Sequence, residues 1–340
     1  SERVDAITRF LTDHGWAGAT RRTLADDASF RRYDRLRDGT REAVLMDAPP
    51  PQEDVRPFVR IARHLADLGF SAPEVLAEDV DQGFLLIEDL GDATYTRVLA
   101  DAPDREHDLY ALAIDVLIDL HGRAGAVPAG LPAYDMGRLL DEALLLTDWF
   151  VPAVTGREMD GAARESYLTA WQSALGPVAA APPTLVLRDY HVDNLMWLPE
   201  RPGPRACGVL DFQDAVAGPA AYDLMSLLED ARRDIAPALK RDMWARYTAA
   251  FPELADGAAA QAFAAQFHIL GAQRHAKVIG IFTRLAHRDA KPAYLVHIPR
   301  VWRLLESSLS HPALAPVAAW MDAHVPPETR IQPPESTSAP

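Results

Sequence analysis

One island of β-type sequence, Thr184 to Phe212, interrupts a chain that is helical in pattern from Gly91 onward. It constrains the fold more than any other feature. The island runs Thr184-Leu-Val-Leu-Arg-Asp189-Tyr-His-Val-Asp-Asn194-Leu-Met-Trp-Leu198, turns through a Pro/Gly-rich stretch, Pro199 to Arg205, and ends Ala206-Cys-Gly-Val-Leu-Asp211-Phe-Gln-Asp214. Leu195 to Leu198 reads as an outgoing strand and Ala206 to Leu210 as its return. In that hairpin Asn194, just before the outgoing strand, and Asp211, just after the returning one, fall at the same end. Asp189 sits on the loop that feeds this end. An Asx-rich loop can do no more than cap turns, but three acceptor side chains at one end of one hairpin argue for a site.

Two carboxylates and an amide oxygen suit magnesium, a hard cation that takes few carboxylates, keeps waters and binds through substrate phosphates. Phosphoryl transfer needs a carboxylate to orient and deprotonate the attacking hydroxyl, and oxygen ligands for metal bridging the phosphates. Asp-x4-Asn followed by a strand-terminal Asp is the spacing of the protein-kinase catalytic and metal loops. The expected roles are Asp189 as base and Asn194 and Asp211 as metal ligands.

The rest of the chain makes a two-part silhouette. Residues 1–18 read as an amphipathic helix through Val4, Ile7, Phe10 and Leu11. Strand-like segments follow at Ser29–Leu36 and Glu42–Met46 around the turn signal Asp38-Gly39, with two more at Val75–Glu78 and Phe84–Glu88. A helix over Arg56–Leu68 lies between the pairs, with Pro57 in its first turn and Gly69 closing it. The expectation is an α+β chain: a small antiparallel sheet carrying one helix in residues 1–90, a larger, mostly helical lobe over 91–325, and a Pro/Ser/Thr-rich tail, 326–340, without order.

The chain has 340 residues, 49% of them hydrophobic, enough for one large core or two lobes. A net charge of −15 with no Lys/Arg run disfavours nucleic acid and anionic membranes as partners. No apolar stretch approaches a membrane span, and no secretion signal opens the chain, so the cytoplasm is the expected compartment. The single cysteine, Cys207, excludes an internal disulfide and reads as a buried structural thiol.

Asp189-x4-Asn194 with Val-Leu-Asp211-Phe resembles the aminoglycoside phosphotransferase family, small-molecule kinases, over nearly the whole chain. The resemblance implies a bilobal protein-kinase-like fold that uses ATP and Mg2+. It gives Asp189, Asn194 and Asp211 the roles above, makes Glu88, Asp89 and Leu90 the hinge whose backbone meets adenine, and puts Met196 under the base. Within the family, Asp27-Ala-Ser-Phe-Arg-Arg-Tyr33, Leu45-Met-Asp-Ala-Pro-Pro50, Asp211-Phe-Gln-Asp-Ala215 and Gly280-Ile-Phe-Thr-Arg284 resemble the bacterial branch that phosphorylates the anomeric hydroxyl of N-acetylmuramate and N-acetylglucosamine in cell-wall recycling. One departure stands out. Kinases carry a phosphate-binding lysine on the third strand, but here Met46 stands in its place, no lysine precedes Lys240, and only Glu53 precedes the following helix. Arg31 or Arg32, on the loop and strand that with Ser29 and Phe30 would cover the phosphates, is the expected source of charge.

Other residues admit two readings. Asp214 is a second metal or sugar contact, or an N-cap. Arg274, Lys277, Arg284 and Arg288 share a helical face that is either a solvated charged surface or a stripe for an anionic substrate such as a lactyl carboxylate. Glu142 and Trp149 line a sugar pocket or pack in the core, Asp223 braces the catalytic loop, His191 and Asp193 serve loop structure, and His121 packs between helices. Two rival functions remain open: a metal-dependent hydrolase built on Asp189, His191, Asp193, Asp211 and Asp214, and a catalytically silent nucleotide-binding regulator. Aminoglycosides and choline-like amino-alcohols are the alternative acceptors.

Overall fold

A computed structural model describes residues 2–24 and 29–335, which form two compact units: Ser1–Val116 with Val192–Ala215, and Leu117–His191 with Val216–Pro340. Asp27 and Ala28, which open the motif ending at Tyr33, lie outside the described residues.

In the first unit α1 (Glu2–Asp13) leads into β1 (Thr20–Thr23), β2 (Arg32–Asp38) and β3 (Arg41–Asp47), then α2 (Arg56–Asp67), β4 (Val75–Asp79) and β5 (Phe84–Ile87). The strands form one antiparallel sheet in the order β1-β2-β3-β5-β4. The β2–β3 turn is Gly39-Thr40, one residue on from the Asp38-Gly39 signal because Asp38 still pairs with Arg41, and Gly39 takes φ +61°. Strand alternation sends Leu36, Ala43, Leu45, Phe84 and Leu86 to one face, where they pack with Ile7, Phe10 and Leu11 of α1 and with Trp16. Truncating Phe10 to alanine there would remove about 3–5 kcal/mol. On the opposite face Arg35, Val44 and Ile87 stand in register across β2, β3 and β5. The edge strand β1 has no apolar pattern, since all four of its residues are exposed, and so nothing in its sequence announces it.

Thr94 caps α3 (Tyr95–Asp101), its Oγ1 accepting the Arg97 N–H at 3.2 Å, and α4 (Glu106–His121) carries the chain into the second unit. There α5 (Met136–Leu145), a π-helical turn at Leu146–Phe150 and α6 (Val151–Thr155) run on from one another, followed by α7 (Gly161–Ala179) and β6 (Pro183–Val186). The chain then returns to the first unit as the hairpin of β7 (Leu195–Trp197) and β8 (Cys207–Val209), paired Leu195 to Val209 and Trp197 to Cys207. Back in the second unit, β9 (Val216–Pro219) pairs antiparallel with β6, and α8 (Ala221–Leu228), α9 (Pro237–Ala249), α10 (Gly257–His287), α11 (Ile298–Leu309) and α12 (Ala315–His324) complete the chain. The 31-residue α10 is the axis of this unit and packs on α5, α8 and α11. Gly280 lets it approach: a Cβ there would lie 2.2 Å from the Leu145 carbonyl carbon.

The α+β class stands, with the five-stranded sheet and the β7–β8 hairpin in the first unit and a two-stranded β6–β9 sheet in the mostly helical second unit. Two boundaries differ from the sequence reading. The first unit does not end near residue 90 but continues to Val116 and takes back Val192–Ala215. The hairpin belongs there because Val209 donates to the Ser71 carbonyl and Trp197 to that of Ala93, each at 2.8 Å. The tail is ordered beyond Pro326: Pro327–Thr329 forms a helical turn, and Arg330 pairs with Glu306 and Asp322, both at 3.0 Å. Residues 336–340 lie outside the described residues.

Candidate functional site

A cavity of about 670 Å³ opens in the first unit between the Arg35–Val44–Ile87 face of the sheet, the segment Glu88 to Asp92, and the β7–β8 hairpin. Glu88, Asp89, Leu90, Met196, Asn194 and Asp211 all line it. The segment Glu88 to Asp92 is built tightly. The Glu88 N–H is committed to the Glu74 carbonyl at 2.8 Å, Asp89 Oδ1 accepts the Gly91 N–H at 2.9 Å, and Gly91 takes φ +86°. Gly208 leaves room on the other side, since a Cβ there would come within 3.0 Å of the Met196 Cβ and 3.2 Å of Leu90 Cδ1.

The cavity wall also holds a cation that sequence reasoning missed. Arg35 is 4% exposed, yet it points its guanidinium at two carboxylates. Its Nε and Nη2 bond Asp89 at 2.6 and 3.0 Å, and its Nη1 bonds both oxygens of Asp92 at 3.0 Å. Asp89 raises the Arg35 pKa against the opposing effect of burial. Such a bidentate, desolvated pair fixes geometry more than it adds stability, and here it ties β2 to the hinge.

At the hairpin end, Asn194 Nδ2 donates to Asp211 Oδ2 at 3.3 Å and Gln213 Nε2 to Asp211 Oδ1 at 2.5 Å. Asp211 sits at φ +56°, one of three non-glycine residues with positive φ among the described residues, and strain of this kind collects at functional positions. Phe212 is buried and stacks on Phe58 of α2 with ring centroids 5.0 Å apart. An amide oxygen and a carboxylate one side-chain contact apart, both facing a cavity, form the hard-oxygen set a magnesium ion takes while keeping its waters. Holding it requires the Asn194 amide to turn its oxygen toward the ion.

On the phosphate-covering side, Arg31 Nε lies 3.4 Å from Glu53 Oε2, and the Phe30 N–H bonds Glu53 Oε1 at 3.1 Å. The Ser29 hydroxyl accepts from the Arg31 backbone and Nε, each at 3.2 Å. Met46 on β3 and the lack of a glutamate in α2 stand as read, and an arginine–glutamate pair forms instead from the residues ahead of β2 and α2. Met46 is fully buried and lines no part of the cavity. Arg32 is exposed at the start of β2, and Phe30 is 67% exposed.

Asp189 belongs to the second unit and heads a network of buried charge. Arg274 Nη2 reaches its Oδ1 at 3.4 Å, while Arg274 Nη1 donates to the Arg188 carbonyl at 2.9 Å and the Tyr222 hydroxyl at 3.2 Å. Glu142 receives Arg188 Nη2 at 2.6 Å, Lys277 Nζ at 2.6 Å and the Tyr134 hydroxyl at 2.9 Å. Burial acts to raise the Asp189 pKa, but Arg274 and then Lys277 outweigh it and hold the carboxyl at about 2. Glu142 is likewise lowered by Lys277 and Arg188 against burial. Asp223 braces the loop as expected, accepting the Leu187 and Arg188 N–H groups at 2.7 and 2.9 Å. Burial pushes its own pKa up to about 7.

The basic stripe is therefore not one feature. Arg274 and Lys277 are buried and paired, so the solvated-face reading fails for them, whereas Arg288 bonds Asp289 on the surface and Arg284 is half-buried. Asp214 is exposed and does not line the cavity. Asp193 accepts from the Thr96 hydroxyl, His121 bonds the Tyr247 hydroxyl at 2.7 Å, and Cys207 is buried. Among the described residues no three His, Cys, Asp or Glu side chains are gathered to hold a metal, which leaves the two-metal hydrolase reading without its cluster. Among them, too, no helix is long and apolar enough to cross a membrane.

Comparison with known proteins finds relatives along nearly the whole chain. The N-acetylmuramate/N-acetylglucosamine kinase of Caulobacter vibrioides is 38% identical, over 97% of this chain and 99% of its own length. The protein of the same name from Pseudomonas aeruginosa is 41% identical over 86% of this chain and 84% of its own. Among solved structures, the GDP complex of aminoglycoside 2'-phosphotransferase-IIIa matches with a TM-score of 0.61 at 16% identity, covering 91% of this chain and 98% of that one. A choline kinase of Streptococcus pneumoniae matches with a TM-score of 0.61 at 9% identity, over 92% of this chain and all of that one. At such identities these structures speak for the fold alone. The model of the phosphotransferase enzyme family matches residues 20–257, spanning the sheet, the hinge, Asp189 and the β7–β8 hairpin, and the chain belongs to that family.

Proposed function

We propose that this chain transfers the γ-phosphoryl group of ATP to the anomeric hydroxyl of N-acetylmuramate and N-acetylglucosamine, returning cell-wall sugars to use as their 1-phosphates. The observation that carries the reading is the 38% identity to the Caulobacter kinase of that name across nearly the full length of both chains. In the reaction Asp189 accepts the proton of the anomeric hydroxyl, the freed oxygen forms its bond to the γ-phosphorus, and the bond to the β–γ bridging oxygen breaks to release ADP. A carboxyl held at about 2 is ionised at any working pH, so it accepts a hydrogen bond from the sugar hydroxyl and orients it, and its low basicity puts the proton transfer late, as the bond to phosphorus forms. Backbone groups of Glu88, Asp89 and Leu90 other than the committed Glu88 N–H meet the adenine edge, and Met196 lies beneath the base. Asn194 and Asp211 would hold Mg2+, which when bound would offset charge on the phosphate oxygens. Arg31, paired with Glu53, takes the phosphate-binding role of the absent lysine.

The test is a panel of sugars supplied with ATP and magnesium, with phosphorus NMR locating the new phosphate. An anomeric phosphate on both N-acetylated sugars is expected. Phosphate on another hydroxyl, or turnover only with an aminoglycoside or choline, would sink the reading. Absence of turnover on every acceptor would favour the silent regulator.

A further inference from the structure

Resting on the reading of Asp189 as base, we propose that Arg274 is its positioning residue: the guanidinium from α10 clamps the Asp189 carboxylate and the peptide before it, and does not receive a substrate anion. Arg188, the residue ahead of Asp189, sits at φ +73°, a conformation that costs a non-glycine residue of order 1–3 kcal/mol and persists only when its surroundings impose it. Those surroundings act from both sides. Asp223 takes the N–H groups of Leu187 and Arg188, and the Arg188 carbonyl takes Arg274 Nη1 at 2.9 Å and the Ser226 hydroxyl at 3.3 Å. That carbonyl belongs to the peptide joining Arg188 to Asp189, and Nη2 of the same guanidinium reaches Asp189 Oδ1 at 3.4 Å. One rigid planar group thus holds the backbone and the side chain of consecutive residues, a task for the arginine fork and not for the point charge of a lysine.

Exposure separates the two roles. The Arg274 side chain is 8% exposed and that of Asp189 37%, so the arginine lies behind the carboxylate while the carboxylate is open to an acceptor. Three of the five N–H groups of Arg274 are taken by the Arg188 carbonyl, the Tyr222 hydroxyl and Asp189, so an anion would have to reach the remaining two on a side chain only 8% exposed. The neighbouring cations, Arg188 and Lys277, are both committed to Glu142.

The experiment compares Arg274→Gln and Arg274→Lys with the wild type on both N-acetylmuramate and N-acetylglucosamine, with Asp189→Asn alongside. A misplaced base costs roughly 100-fold, so kcat of Arg274→Gln is expected to fall by about that factor on both sugars alike. KM for ATP and for sugar should change little, and Arg274→Lys should recover only part of the rate. An unchanged kcat, or a KM rise confined to the acidic sugar, would overturn the proposal, the latter by assigning Arg274 to the lactyl carboxylate. If Arg274→Gln fails to fold, Tyr222→Phe decides, because it removes one anchor of the guanidinium. A lower kcat at constant KM supports the clamp, and a wild-type kcat refutes it. Wild-type turnover by Asp189→Asn would instead remove the base reading itself, a separate failure.

Discussion

Glu53 and Arg31 form a pair that no kinase motif anticipates, and Arg31 is the cation proposed for the nucleotide phosphates. A charged hydrogen bond to phosphate contributes about 1.5–3 kcal/mol, so Arg31→Ala should raise the ATP KM by roughly tenfold or more. Glu53→Ala should act in the same direction by releasing the arginine, and Arg32→Ala, at an exposed strand end, should leave the KM unchanged. Steady-state kinetics in ATP settle this, and an unaltered KM for Arg31→Ala would return the phosphates to another group. The residues legible in the sequence were those joined by short connections. Asp189, Asn194 and Asp211 share one hairpin and its feeding loop, so spacing alone relates them. Arg35 was not legible, because its partners Asp89 and Asp92 lie 54 and 57 positions away. The only local trace is a charged residue beside Leu36 in a strand whose centre is buried.

At the scale of elements, α10 decides how the second unit closes. Its face turned to α5 must be flat at Gly280, where any side chain would meet the Leu145 backbone. Gly280→Ala should therefore destabilise the protein by about 1–3 kcal/mol or more, despite alanine's better helix propensity. A chemical-denaturation midpoint equal to or above the wild type would show that α10 can shift to admit the methyl group. The helices α1 and α2 were readable from their local pattern, as were strands β2 to β5 to within a few residues, whereas α3 and α12 were not marked in advance. The strand β1 was not, because its sequence Thr-Arg-Arg-Thr buries nothing and is recruited only by the free edge of β2. The charged face of α10 was left with two readings for a related reason. Periodicity shows that Arg274 and Lys277 share a side, but not that Asp189 and Glu142 meet them there.

For the whole molecule, the first unit is discontinuous in the chain, and its cavity draws Asn194, Met196 and Asp211 from the inserted hairpin. A fragment ending at Val116 keeps the sheet and the hinge but lacks all three. It should bind no nucleotide in the presence of magnesium, as read by isothermal titration, and adding a peptide of Val192–Ala215 should restore binding at best weakly. Full-strength binding by the fragment alone would show that the sheet suffices. The hairpin's late place in the chain also orders events in time. About a hundred residues separate Val116 from Ala215, and at synthesis rates of roughly 5–20 residues per second the ribosome needs on the order of 10 s to deliver them. Through that interval the nascent sheet is present without the residues proposed to hold its metal. The growing chain can engage ATP fully only after the loop bearing Asp189 has already emerged.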